Sequence, residues 1–299
     1  MNIRGGVGRL LRGAGIAVSA LALVAIFSLS FGVTRYTAVL DLAMHAYGSS
    51  IGILFGALID GAAGWVAEQA FDWLDIRLTI ASVWKDVFTL LTLYVFADSS
   101  GFLRRGLAPE PGADGKAELK MFAASVLAGF VLALAAAIAV GLTPVDHGWQ
   151  GDAVLFAAPV IAVGLYWVCV AAAHATWNRE NFRLFRGVDE TFGQAFRIRA
   201  VRALVRSGAG LVIGAALTAM FVIAGVPRPG LLALAVLALI LGLFWIYRST
   251  NPDDRSRPLQ ERMKSATGSD NFAMGMDMLA KVAVGGLLAG ANAIAVQAG

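Results

Sequence analysis

Asp60, Lys85 and Asp86 are the residues of this chain whose type and setting could carry chemistry. Each stands in or beside a stretch that is otherwise apolar. A charged side chain at the centre of a membrane helix costs about 2.5–3.5 kcal/mol on an insertion scale. Where one is kept, it pairs with a partner, opens onto water or serves a transported species. Asp60 follows glycines placed every fourth residue, Gly48, Gly52 and Gly56, and precedes Gly64. Residues four apart are neighbours on a helix, so Gly48 to Asp60 share one surface that a second helix can approach closely. The plainer reading of the same pattern is a helix-packing stripe whose acid is satisfied elsewhere. Lys85 and Asp86 are adjacent, so their side chains diverge by about 100° and do not face each other. Asp60 is a candidate partner for Lys85. If the helix instead begins at Trp84, Lys85 and Asp86 lie at the interface beside an anchoring aromatic, and Asp98 bears part of the membrane cost.

Other chemistries find less support. A bis-histidine haem needs two imidazoles facing each other, and His45, His147 and His174 are not expected at matching depths. Zinc ligands at close spacing are missing. Met274, Met276 and Met278 offer thioethers that suit Cu(I), but no histidine or cysteine lies nearby to complete a site. Phosphate-loop, dinucleotide, nucleophile-elbow and HExxH patterns are all lacking in suitable context. No cofactor or metal is therefore expected, and enzymatic activity is not favoured.

These residues must be held by membrane helices. Over 299 residues, 58% are hydrophobic and 15% charged, with a mean hydropathy of +0.72. Such a composition excludes a soluble fold. Seven apolar runs approach the ~20 residues that cross a bilayer as helix: Gly13–Gly32, Leu78–Ala97, Met121–Leu142, Ala153–Ala173, Gly208–Gly225, Leu231–Tyr247 and Met278–Ala298. A transmembrane β-barrel would show short alternating segments instead. The expected fold is all-α, a polytopic transmembrane bundle in one integral membrane domain over 1–299. The run after Arg4, Arg9 and Arg12 is too long for a secretion-signal core and reads as the first span. Cys169 is the sole cysteine, which excludes an intrachain disulfide.

Charge sets the orientation. Between Asn178 and Ser207 stand seven arginines against three acids, an excess equal to the +4 of the whole chain. The loop from Arg248 to Gly275 is also basic, whereas Thr143–Asp152 has no lysine or arginine. The positive-inside rule places the basic loops in the cytoplasm, in a bacterial-type inner or plasma membrane. Alternating the spans from there makes residues 34–77 begin and end on the external side, as a re-entrant or amphipathic element. The alternative is an eighth full span with the N-terminus outside. In the 178–207 loop, Phe182, Phe185, Val188, Phe192 and Phe196 recur at helical spacing, with Arg199, Arg202 and Arg206 beside them. A basic amphipathic helix of this kind lies on anionic headgroups or docks a partner, and the phenylalanines suit lipid better than nucleic acid.

The leading functional expectation is a transport or channel-like protein with Asp60, Lys85 and Asp86 along an intramembrane polar pathway. Its rival is a non-catalytic scaffold or accessory subunit whose ladder and basic loop bind other proteins. A membrane enzyme acting on a lipid-linked substrate, with Asp60 and His45 as acid or base, ranks third. The expected partners are the bilayer itself, further copies of the chain or other membrane proteins.

Overall fold

The computed structural model describes residues 3–33, 35–51, 82–107, 114–141, 149–177, 192–250, 261 and 270–298. These contain helices and no strand: α1 (Ile3–Ser30), α2 (Ala38–Ile51), α3 (Ser82–Leu107), α4 (Gly115–Gly141), α5 (Trp149–Trp177), α6 (Phe192–Ile223), α7 (Pro229–Thr250) and α8 (Asp270–Ala298). All but α2 include a stretch long and apolar enough to cross a membrane, which makes this a multi-pass integral membrane protein with an all-α fold. Helix is the form that satisfies every backbone polar group within one segment in hydrocarbon.

Helix ends follow from local chemistry. Past α1, Gly32 adopts φ 70°, the Gly32 N–H reaches the Leu29 carbonyl at 3.1 Å, and the Val33 N–H reaches Ser28 at 2.7 Å. That paired pattern closes the last turn around a left-handed glycine. The end of α6 repeats it: Gly225 at φ 73°, with Gly225 and Val226 donating to Val222 and Phe221 at 3.0 Å each. Pro229 then opens α7, where a missing N–H costs nothing. Asp114 caps α4 by accepting the Lys116 N–H at 2.9 Å.

The helices group into two compact units. One comprises Met1–Ala62, Lys85–Leu90 and Ala216–Gly299; the other comprises Ala63–Trp84 and Leu91–Ala215. In the first, α1 packs against α2, α7 and α8. Leu23 meets Ala235 and Val282, while Val24 meets Leu40 and Ala289. The helices come closest where side chains are absent. A methyl group at Gly275 of α8 would lie 2.7 Å from the Gly242 carbonyl oxygen of α7, and one at Gly285 would lie 3.0 Å from the Ala20 carbonyl oxygen of α1. Such contacts supply the dispersion energy that associates helices in lipid. In the second unit, Gly129 makes room for Val95, Gly164 for Ser207 and Gly214 for the Phe156 ring.

The direction of the chain can be followed through the membrane. Asn292, near the end of α8, donates to the Arg35 carbonyl at 3.0 Å and accepts the Thr37 N–H at 2.7 Å, just past the end of α1. Helices α1 and α8 therefore run parallel. Helix α2 turns back along α1: Leu40 packs at Val24, and Tyr47 and Ile51 pack at Ala22. Of the glycine ladder, Gly48 ends up exposed on α2, and a methyl group there would meet nothing within 4 Å. Gly52, Gly56, Asp60 and Gly64 lie outside the described residues.

Of the basic segment 178–207, residues from Phe192 onward are described and are helical. Helix α6 starts at Phe192 and runs without a break to Ile223, and its apolar span begins at Ala200. Nothing between Arg197 and Gly208 interrupts a helix: alanine, leucine and arginine favour it, and no proline intervenes. Arg199, Arg202 and Arg206 thus belong to the first turns of a membrane helix, with Arg202 and Arg206 exposed. Phe182, Phe185 and Val188 lie outside the described residues.

Candidate functional site

Helix α3 carries Lys85, Asp86 and Asp98. Among the described residues its apolar span runs from Trp84 to Leu107, so that its end shifts from the Ala97 suggested by hydropathy to Leu107. The shift moves Asp98 from the end of a span into its interior, about 13 Å from the nearer end at ~1.5 Å per residue.

Asp86 belongs to the first unit. The Tyr47 hydroxyl of α2 donates to its Oδ1 at 2.7 Å. Leu90, one turn further along α3, packs on Ala22 and Leu23 near the middle of α1. Asp86 thus lies one turn from a residue that packs near the middle of α1, two residues into the α3 span that begins at Trp84. Trp84 is fully buried, so it is no interfacial anchor. Lys85 is partly buried beside Asp86, and its carbonyl accepts the Thr89 hydroxyl at 2.7 Å. Its proposed partner Asp60 lies outside the described residues.

Asp98 belongs to the second unit, where a larger network surrounds it. The Tyr166 hydroxyl of α5 donates to Asp98 Oδ2 at 2.8 Å and lies 3.3 Å from the Ser99 hydroxyl. Trp167 Nε1 donates to the Tyr94 hydroxyl at 3.0 Å. The rings stack edge to face, with centroids of Tyr94 and Tyr166 6.4 Å apart and those of Tyr166 and Trp167 6.1 Å apart. Tyr166 is 1% exposed. Val95, Phe102, Met121 and Val170 close the apolar wall around it. Neither Asp86 nor Asp98 forms an ion pair with a described lysine, arginine or histidine.

A third charged pair lies on α8. Lys281 Nζ is 2.6 Å from Asp277 Oδ2, one turn apart, inside the span Asn271–Ala298. Acid before base at this spacing is the favourable order on a helix, and the pair neutralises itself. It reads as a local ion pair, in which Asp277 Oδ1 has no hydrogen-bond partner among the described residues. Opposite charges four apart are the sequence signal for it, whereas for the Asp98 network the sequence marked the acid but not its partners Tyr166 and Ser99.

Remaining candidates do not converge. His174 stacks edge to face with Phe102 at 5.2 Å, and His45 is exposed on α2. Met278 faces Gly242 while Met276 is exposed, so the thioethers point apart. Among the described residues, no three His, Cys, Asp or Glu side chains gather as metal ligands would. Comparisons of the chain with protein-family models, with curated proteins and with solved structures return no match in any of the three.

Proposed function

We propose that this multi-pass membrane protein is transport or channel-like, with its polar pathway built on α3. One observation carries the reading: a single membrane helix holds two carboxylates, Asp86 and Asp98, each met by a tyrosine hydroxyl from another helix. An ionisable residue inside a membrane segment is by default a candidate for an ion or proton route. A hydroxyl partner can let go of an acid without leaving a second buried charge behind. Lys85, and Asp60 outside the described residues, complete the proposed pathway. The charge pattern supports cytoplasmic placement of the basic segments, as in a bacterial-type inner membrane.

One observation favours the rival reading of a scaffold or accessory subunit. The void beside Tyr166, lined by Leu91, Val95, Gly129 and Ala162, has about 10 Å³, close to the minimum for a single water. In this reading the acids only fix packing, and the exposed apolar surface of α6 meets lipid, other membrane proteins or further copies of the chain.

Reconstituted liposomes separate the two. Under an imposed potassium-diffusion potential, protein-containing vesicles should pass protons or monovalent cations faster than empty ones. Asp98→Asn should abolish that flux while helicity and a monodisperse elution profile persist. Flux equal to that of empty vesicles for protons, sodium and potassium alike would reject the transport reading.

A further inference from the structure

The Asp98 network of the second unit is graded in burial. Asp98 is partly exposed, whereas Ser99 and Tyr166 are fully buried. Their oxygens form a short row. The Tyr166 hydroxyl donates to Asp98 Oδ2 at 2.8 Å and lies 3.3 Å from the Ser99 hydroxyl, where either oxygen can be the donor. Ser99 uses its hydroxyl differently from other hydroxyl residues of these helices. Thr89, Ser100 and Thr176 bond back to carbonyls of their own helix, at 2.7, 2.7 and 2.8 Å. A hydroxyl both donates and accepts, so a row of two hydroxyls ending on a carboxyl can reverse its direction. With Asp98 ionised, Ser99 donates to Tyr166 and Tyr166 donates to the carboxylate. With Asp98 protonated, the carboxyl O–H donates to Tyr166 and Tyr166 donates to Ser99. Arrival of a proton forms one O–H bond on Asp98 and breaks none in the protein, because the hydroxyl hydrogens only turn.

A metal cation would meet the opposite conditions. Stripped of water, it needs a shell of oxygens in place of the ones it leaves. At Asp98 the Tyr166 hydroxyl turns its hydrogen, not its lone pairs, toward the acid, and Ser99 lies behind it. Val95, Phe102, Met121 and Val170 make the surrounding wall apolar. The void beside Tyr166 has about 10 Å³, room for one water at most and none for a hydrated ion. A proton needs no such room. Ser125 of α4 stands beside the Tyr166 phenol. The other titratable or charged groups here are Tyr94 of α3, which accepts from Trp167, and Arg206 of α6, whose charge is felt at the Tyr94 phenol. Resting on the transport reading and naming its ion, we infer that the species bound at Asp98 is a proton, exchanged through the Tyr166 and Ser99 hydroxyls, and not sodium or potassium.

The test is infrared difference spectroscopy of the full chain in nanodiscs, titrated with acid at constant ionic strength in sodium, potassium or N-methylglucamine chloride. A protonated-carboxyl C=O band should appear on acidification and be lost in Asp98→Asn. In Tyr166→Phe the band should move to higher frequency, because the carboxyl has lost its hydrogen bond. Its midpoint should be the same in all three salts. In liposomes, the zero-current potential should follow the pH gradient and ignore opposed sodium and potassium gradients. A midpoint that drops when sodium or potassium replaces the organic cation would mean that the metal competes for Asp98. That result, or an Asp98-dependent sodium or potassium current, would overturn the proposal and leave the transport reading standing. A band absent at every pH, or one unmoved in Tyr166→Phe, would overturn it as well. The salt comparison on the unmodified chain and the Tyr166→Phe shift decide the matter even if Asp98→Asn does not fold. Absence of flux for every ion, with a salt-independent band, would instead reject the transport reading on which the inference rests.

Discussion

Removing the Tyr166 hydroxyl tests whether Asp98 depends on it. Tyr166→Phe keeps the ring, so the edge-to-face contacts with Tyr94 and Trp167 persist and no cavity of consequence forms. What disappears is the donor 2.8 Å from Asp98 Oδ2, which also lies 3.3 Å from the Ser99 hydroxyl. Hydrogen bonds to charged groups in water-soluble proteins contribute about 1.5–3 kcal/mol. Between membrane helices, measured couplings are smaller, averaging about 0.6 and reaching about 1.7 kcal/mol, because the unfolded chain in the bilayer also finds partners. Tyr166 is buried and serves a carboxylate, which places this pair at the upper end of the membrane range. We expect a loss of about 1.5 kcal/mol, or roughly a tenfold shift in the unfolding equilibrium. The assay is unfolding in mixed detergent micelles with rising denaturing detergent, read by circular dichroism. A double-mutant cycle with Asp98→Ala, which removes the acceptor, isolates the pairwise part and should return a coupling near 1 kcal/mol. If Tyr166→Phe unfolds within about 0.3 kcal/mol of the unmodified chain, the hydroxyl does not hold the acid, and the reasoning on Asp98 fails.

Gly275→Ala should destabilise the chain by about 1–3 kcal/mol, because the added methyl meets backbone atoms of α7 that cannot move aside; a neutral result in the same unfolding assay would refute the close approach. Gly48→Ala should be neutral or stabilise by up to about 1 kcal/mol, since the site is exposed and alanine favours helix, whereas a marked loss of stability would show that the ladder packs there after all. Asn292→Leu should cost about 2 kcal/mol in that assay, leaving the Arg35 carbonyl and the Thr37 N–H without their partner. In a Cys169→Ser background, cysteines at Arg35 and Pro227 should react with a membrane-impermeant reagent from outside, and cysteines at Asp114 and Glu261 should not. Labelling of residues 35 and 114 from the same side would break the alternation of α3 to α8.

The class and the seven spans among the described residues were legible in the sequence because insertion into a bilayer is a local property. A run of about 20 apolar residues specifies a crossing whatever lies elsewhere in the chain. Basic residues beside such runs fix the expected orientation in the same local way. Helix ends at Gly32 and Gly225 are equally local, since a left-handed turn needs only the residue that can adopt it. Partnership is different. Tyr47 reaches Asp86 from 39 residues away, and Tyr166 reaches Asp98 from 68. A tyrosine in an apolar span reads the same whether it faces lipid or an acid, so the partner of Asp98 emerged only with the Tyr166 hydroxyl of α5 placed against it. Glycine spacing carried the same ambiguity: Gly48 and Gly290 are bare and open, whereas Gly275 is pressed against a neighbouring helix. The bilayer accepts all three equally, so the sequence determined which segments are membrane helices, and the packing of those helices decided which small or polar residue has a neighbour.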